Sequence, residues 1–181
     1  GADNEINGIT FAGVGSGTTV DHIEVAYNLD DGIEFFGGSV NVKYASVIFV
    51  GDDSIDTDMG YTGKIQFAFV LIGQDGHHGT EMDSKYDGTP RSFPQMYNAL
   101  FVSQLSQTVA SVSTDDTSLA VLRLREGTGG EFGNIIVTNN GYYGVYSSDC
   151  GTETRTQTLP SSGAPDYLWF SSNNIIYNGG S

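Results

Sequence analysis

The chain has 181 residues, among them 25 Gly and only 4 Pro, and its 38% hydrophobic and 12% aromatic side chains suffice for a packed core. This composition excludes a Pro-rich disordered segment and suits one domain, 1–181, of many strands and tight turns. Seven basic residues against 22 acidic ones give a formal charge of −15, which excludes duplex nucleic acid and anionic membrane surfaces as partners. Metal cations, basic proteins and neutral glycans stay open, and the acidity also serves solubility.

In chain order, one short pattern recurs. It reads Asn7-Gly8-Ile9-Thr10-Phe11, then Asp31-Gly32-Ile33-Glu34-Phe35, then Asp53-Ser54-Ile55-Asp56-Thr57. A weaker fourth copy is His78-Gly79-Thr80-Glu81-Met82. Strand-like segments precede the later copies: 20–28, 40–50 and 63–73. Ile33 and Ile55 lie 22 residues apart, as do the successive members of Ile23, Ala45, Phe67, of Val25, Val47, Phe69 and of Tyr27, Phe49, Leu71. These sets alternate with other residues at period two, as strands do. A fixed register of that length with short strands in each turn predicts a right-handed parallel β-helix. In this all-β solenoid of about six rungs, coils stack at about 4.8 Å and like residues form inward columns. A β-sandwich is the rival, but it would not hold a fixed register.

The later rungs are less regular. Residues 118–127 and 133–140 read as a fifth rung, and Tyr143-Gly144-Val145-Tyr146 with 170–178 as a sixth. Insertions are expected at 74–94 and 147–166, and a Ser/Thr-rich connection at 104–117. Such corner loops commonly carry binding function. Cys150, the single cysteine, falls in the second insertion, so no internal disulfide forms. The longest apolar run, 67–72, has strand length and falls far short of the roughly 20 residues that span a bilayer. The first residues are polar and lead straight into a rung. An uncapped solenoid end predicts a fragment of a longer solenoid or end-to-end self-association.

If Ile33 and Ile55 point inward, the residues after them point outward. The outward column then reads Thr10, Glu34, Asp56, Glu81, Arg123, and the next reads Ala12, Phe36, Asp58, Asp83, Arg125. Five carboxylates, Glu34, Asp56, Asp58, Glu81 and Asp83, crowd one face, and like charges at strand spacing repel. Three resolutions are open. Calcium takes 6–8 oxygen ligands and suits all five. Lys64, Lys85, Arg91, Arg123 and Arg125 suit a structural ion-pair ladder. Alternatively, Asp56, Asp58, Glu81 and Asp83 supply a general acid and its partner at separations used by glycosidases, with Lys64, Arg91, Arg123 and Arg125 holding an acidic sugar. The turns Asp30-Asp31-Gly32 and Asp52-Asp53-Ser54 read as caps through Asx-type bonds, in preference to metal binding at their four aspartates. His77 and His78 are adjacent, point apart on an extended strand and make a poor shared metal site. The glycines at 13, 15 and 17 read as a rung corner, because no helix with a Lys follows them.

Residues 4–11, 13–20, 35–43 and 52–66 together resemble a family of exported bacterial surface proteins and lipoproteins of uncharacterised function. The likeness covers roughly residues 3–103, with Arg123, Arg125 and Gly127 beyond it. It implies β-helix repeats and an extracellular or cell-surface location. Asp52-Asp53-Ser54-Ile55-Asp56 is also similar to turns of polygalacturonases and pectate-lyase-like β-helices, although the catalytic His motif of polygalacturonases has no counterpart here. The sequence therefore predicts an exported structural, adhesive or glycan-binding module, with calcium as a stabilising ion and a glycan or another surface protein as partner. A polysaccharide lyase or glycoside hydrolase working on the acidic face is the alternative.

Overall fold

A computed structural model describes residues 6–85, 88–104, 120–148 and 168–177. Cys150, most of the connection at 104–117 and most of the insertion at 147–166 lie outside the described residues. Among the described residues thirteen strands form two parallel sheets. The first sheet stacks β1 (Ile9–Ala12), β3 (Ile33–Phe36), β5 (Ile55–Asp58), β7 (Thr80–Met82), β9 (Ala120–Leu124) and β11 (Tyr143–Ser147). The second stacks β2 (Thr19–Ala26), β4 (Asn41–Ile48), β6 (Lys64–Leu71), β8 (Gln95–Val102), β10 (Gly130–Thr138) and β12 (Leu168–Phe170), and β13 (Ile175–Tyr177) also pairs with β10. The chain alternates between the sheets, one short and one long strand per rung. This is a right-handed parallel β-helix of about six rungs. Among the described residues no helix is long and apolar enough to cross a membrane.

Inward columns make the core. In the first sheet Ile9, Ile33, Ile55, Thr80, Leu122 and Val145 stack in register. In the second, Val25, Val47, Val70, Phe101 and Val137 do the same, beside Ile23, Ala45, Ala68, Ala99 and Ile135. β-Branched and aromatic side chains repeat at these sites because each fills the pleat above its equivalent. Gly32 is confined to its small size by stacking. A Cβ there would stand 2.4 Å from Val47 Cγ1 and 2.6 Å from the Ser54 carbonyl oxygen.

The second sheet departs from the expected register after β4. Ala45 pairs with Ala68 and Val47 with Val70, one residue later than an unbroken 22-residue step. Phe67 and Phe69 therefore point outward, and Tyr27 and Phe49 are also exposed. The extra residue sits in the corner between β5 and β6. There Tyr61 turns fully into the core, packs its ring 4.4 Å from that of Phe35 and donates its hydroxyl to the Val40 carbonyl at 2.8 Å. Burying that ring and satisfying its hydroxyl outweighs the regular spacing.

Each long strand bends at one residue with a left-handed backbone. His22, Tyr44, Phe67, Asn98 and Asn134 stack at this bend, with φ between 52° and 61°. Ladder pairing skips this position and resumes after it. The bend turns two consecutive residues outward, so the inward alternation restarts beyond it.

Candidate functional site

The outward column of the first sheet has the order expected from sequence: Thr10, Glu34, Asp56, Glu81 and Arg123, with Tyr146 beyond. A second acidic row lies beside it, on the turns entering the strands. Asp31 and Asp53 are buried there, and His78 is wholly buried. Asp31 Oδ1 accepts the Asp53 backbone N–H at 3.0 Å. Asp53 Oδ1 accepts the His78 backbone N–H at 2.8 Å and faces His78 Nδ1 at 2.7 Å. His77 turns away to Asp52, with Nδ1 2.6 Å from Oδ1. The adjacent histidines do point apart, and each meets a carboxylate from the rung below.

The column divides into two parts of different chemistry. At the arginine end, Arg125 holds Glu81 at 3.1 Å and Asp83 at 3.5 Å, and Arg123 approaches Glu81 at 3.7 Å. Burial and the Asp53 charge still push the Glu81 carboxyl up, against the opposing pull of Arg125, His78 and Arg123. Burial and Glu81 push Asp83 up to about 8. Burial works against charge on both Asp53 and His78, but their mutual attraction prevails, holding Asp53 below the usual carboxylate range and His78 above the usual imidazole range. They form a buried ion pair.

At the other end stand Asp31, Glu34 and Asp56, whose oxygens lie within 4.8 Å of one another. Asn7 donates its amide to Glu34. Burial, then Asp53 and Asp52, lifts Asp31 to about 9. Burial, then the neighbouring carboxylates, lifts Asp56 well above the usual range, and burial lifts Glu34.

The other sequence-selected residues are dispersed. Asp58 ends β5 and accepts the Met59 N–H, capping its own corner. Arg91 is buried and spans to the Gly127 and Thr128 carbonyls at 2.7 and 3.1 Å, bracing a loop. Lys64 lies on the second sheet, beside Gln66, Gln95, Tyr97 and Glu131. Sequence reasoning missed Asp31, Asp53 and His78 as members of the acidic face. The available signal was their shared position immediately before the repeated Gly/Ser-Ile or Gly-Thr pair.

Tyr44, Phe67 and Phe69 present exposed rings on the second sheet, away from the carboxylate column, whereas exposed Tyr143 lies on β11 of the first sheet and stacks on Tyr146 at 5.2 Å. His22 stacks on Tyr44 at 4.5 Å, and Tyr44 on Phe67 at 4.9 Å. Tyr44 and Phe67 are 46% and 40% exposed. With Glu24, Ser46 and Phe69 they line an open depression. One step along, Gln95 and Tyr97 donate to Glu131 at 2.7 and 3.1 Å, and the ring column continues as an amide ladder, Asn134 to Asn98 at 3.1 Å.

The sequence model of the pectate-lyase like beta helix domain matches residues 1–159. The chain belongs to this family. Comparison with curated proteins and with solved structures gave no match. The pectate-lyase like kinship accords with the two-sheet solenoid and leaves the chemistry to be read from the side chains, since one fold hosts many functions.

Proposed function

We propose that this β-helix is an exported recognition and structural module, working outside the cell or at its surface, that binds glycan chains on the outward face of its second sheet. The observation that carries the reading is the exposed ring ladder His22–Tyr44–Phe67 at the left-handed bend. A left-handed backbone is costly for bulky side chains and cheapest for Gly or Asn. The same column uses Asn at 98 and 134, which is what the bend alone favours. The first three rungs instead carry rings, which gain little burial there. Backbone strain that the fold does not require is a mark of function. Flat rings spaced along a rigid sheet match the C–H faces of successive sugars, and the carboxamide, hydroxyl and carboxylate groups beside them suit sugar hydroxyls. The pectate-lyase like family supports polysaccharide as the ligand class. The acidic face, with Glu81 and Asp83 engaged by Arg125, serves as architecture in this reading.

Affinity electrophoresis through gels cast with neutral or uronic-acid polysaccharides tests it. The wild type is retarded in at least one gel, and Tyr44→Ala/Phe67→Ala loses the retardation, with affinity falling about 10-fold or more. Equal retardation of wild type and variant in every gel, or of neither, overturns the proposal.

A further inference from the structure

We propose that the corner where the chain leaves the second sheet, at Tyr27, Leu29 and Phe49, docks a basic segment of a partner protein and seats an arginine side chain against the two rings. The site is separate from the ring ladder at the bend and does not depend on the glycan reading. Tyr27 and Phe49 follow the ladder partners Ala26 and Ile48, and the residues that follow the next partners, Leu71, Val102 and Thr138, are Ile72, Ser103 and Asn139. Ile72 and Ser103 are buried, and Asn139 takes a left-handed backbone with φ of 54°. Tyr27 and Phe49 take the same backbone, with φ of 57° and 52°, yet leave their side chains 75% and 37% exposed. Two bulky residues thus bear a strain that brings them little burial, which marks a use outside the fold.

The rings form one side of a receptacle. Their centroids lie 5.8 Å apart, with the planes inclined at 47°. Leu29, 76% exposed, stands beside them, and the three line an open cleft of about 480 Å³ with Gly73, Asp75 and Gln104. Charge selects the occupant. The stacked segments of this corner, 27–31, 49–53 and 73–78, carry Asp30, Asp31, Asp52, Asp53 and Asp75, and neither Lys nor Arg. His77 and His78 answer Asp52 and Asp53, whereas Asp75 is exposed at the cleft itself. A chain of formal charge −15 draws basic partners and repels acidic ones. Arginine suits the cleft better than lysine, because its planar, weakly hydrated guanidinium stacks on aromatic faces while its stem covers apolar surface such as Leu29.

Fluorescence anisotropy of dye-labelled hexa-arginine, hexa-lysine and hexaglutamine peptides, titrated with the full chain at about 0.15 M salt, tests the site. Hexa-arginine binds, hexa-lysine binds about 3-fold or more weakly, and hexaglutamine does not bind. Tyr27→Asn/Phe49→Asn lowers the affinity for hexa-arginine by about 10-fold or more and removes its advantage over hexa-lysine. Asparagine suits this backbone, as at 139, so the variant keeps the Tm of the wild type. Leu29→Ser, an independent change at an exposed position, and Asp75→Asn each weaken binding by about 3-fold, whereas Glu126→Gln, which removes the same charge elsewhere, leaves it unchanged. Absence of hexa-arginine binding overturns the proposal. So does equal binding by wild type and ring variant, or a loss in Glu126→Gln that matches Asp75→Asn, since either reports attraction by overall charge alone. Hexaglutamine binding as well as hexa-arginine also overturns it. A doubling of mass with concentration in sedimentation, abolished in the ring variant, assigns the corner to a second copy of the chain and overturns it too.

Discussion

Replacing His78 by alanine lowers the stability of the protein by about 3–5 kcal/mol, the usual cost of breaking a buried ion pair from one side. The His78 ring is wholly buried and its Nδ1 lies 2.7 Å from Asp53 Oδ1. Removing it leaves the Asp53 carboxylate buried in the company of Asp31, Asp56 and Glu81 with its main counter-charge gone. The backbone N–H of residue 78 still reaches Asp53 Oδ1, which favours the lower part of that range. At about 2–4 °C per kcal/mol for a chain of this size, Tm falls by about 10 °C. Adding Asp53→Asn restores part of the loss, because an asparagine oxygen accepts the same N–H without a buried charge. Non-additivity of that sign in thermal melts of the two single variants and the double variant checks the pair directly. Additive losses would show that His78 contributes packing alone.

The second large effect is on pH dependence. Asp31 and Asp83 titrate near 9 and 8 in the folded chain, and Asp56 and Glu34 are also raised, in each case with burial as the leading cause. A raised carboxyl is protonated in the folded state and ionised in the unfolded one over the interval between the two values. Its stabilising contribution is therefore complete below the unfolded value of about 4 and declines as pH rises toward the folded value. The raised His78 and His77 act in the same direction, contributing fully below about 6.5 and fading above it. Asp53 acts oppositely, since its value is depressed and its contribution is lost only in strong acid. In chelator, Tm is expected to peak at mildly acid pH and to fall by about 5–10 °C between about pH 5 and about pH 9. A profile that is flat or rises across that interval would refute this account of the acidic face.

The two sheets differed in how plainly they could be read from sequence. In the first sheet the repeated Gly-Ile or Ser-Ile step places Ile33 on Ile55, and strict alternation then fixes the outward order of Glu34, Asp56, Glu81 and Arg123. Period-two patterning carries that information completely, because a one-residue slip would expose the whole apolar set. In the second sheet the same argument put Phe67 and Phe69 inside. It failed because Tyr61 occupies the extra corner residue, and a side chain filling the core from a corner leaves no periodic trace. Ala68 and Val70 take the inward places, and the displaced rings become the exposed ladder. The left-handed bends were hidden for a related reason. Aromatic residues do not announce a positive φ, whereas Asn98 and Asn134 in the same column do.

The acidic site was half legible. Alternation found the strand carboxylates, but Asp31 and Asp53 resembled ordinary turn caps. Asp31 does cap, yet it receives the N–H of Asp53, one rung away, rather than one in its own turn. His78 was set aside because adjacent histidines diverge on an extended strand. The divergence is real and sends each ring to a different aspartate of the rung below. Stacking between coils, which adjacency along the chain cannot reveal, converts a poor shared site into two separate pairs.

The division of labour between the faces is tested most directly by one assay on four proteins: wild type, Tyr44→Ala/Phe67→Ala, Asp56→Asn and Glu81→Gln. Each is incubated with polysaccharides, and retention on the polymer is read beside the release of reducing ends and unsaturated products. The account predicts retention without cleavage by the wild type, retention kept by both carboxylate variants, and retention lost by the ring variant. Cleavage by the wild type that Asp56→Asn or Glu81→Gln abolishes would contradict it and make the acidic column a catalytic centre.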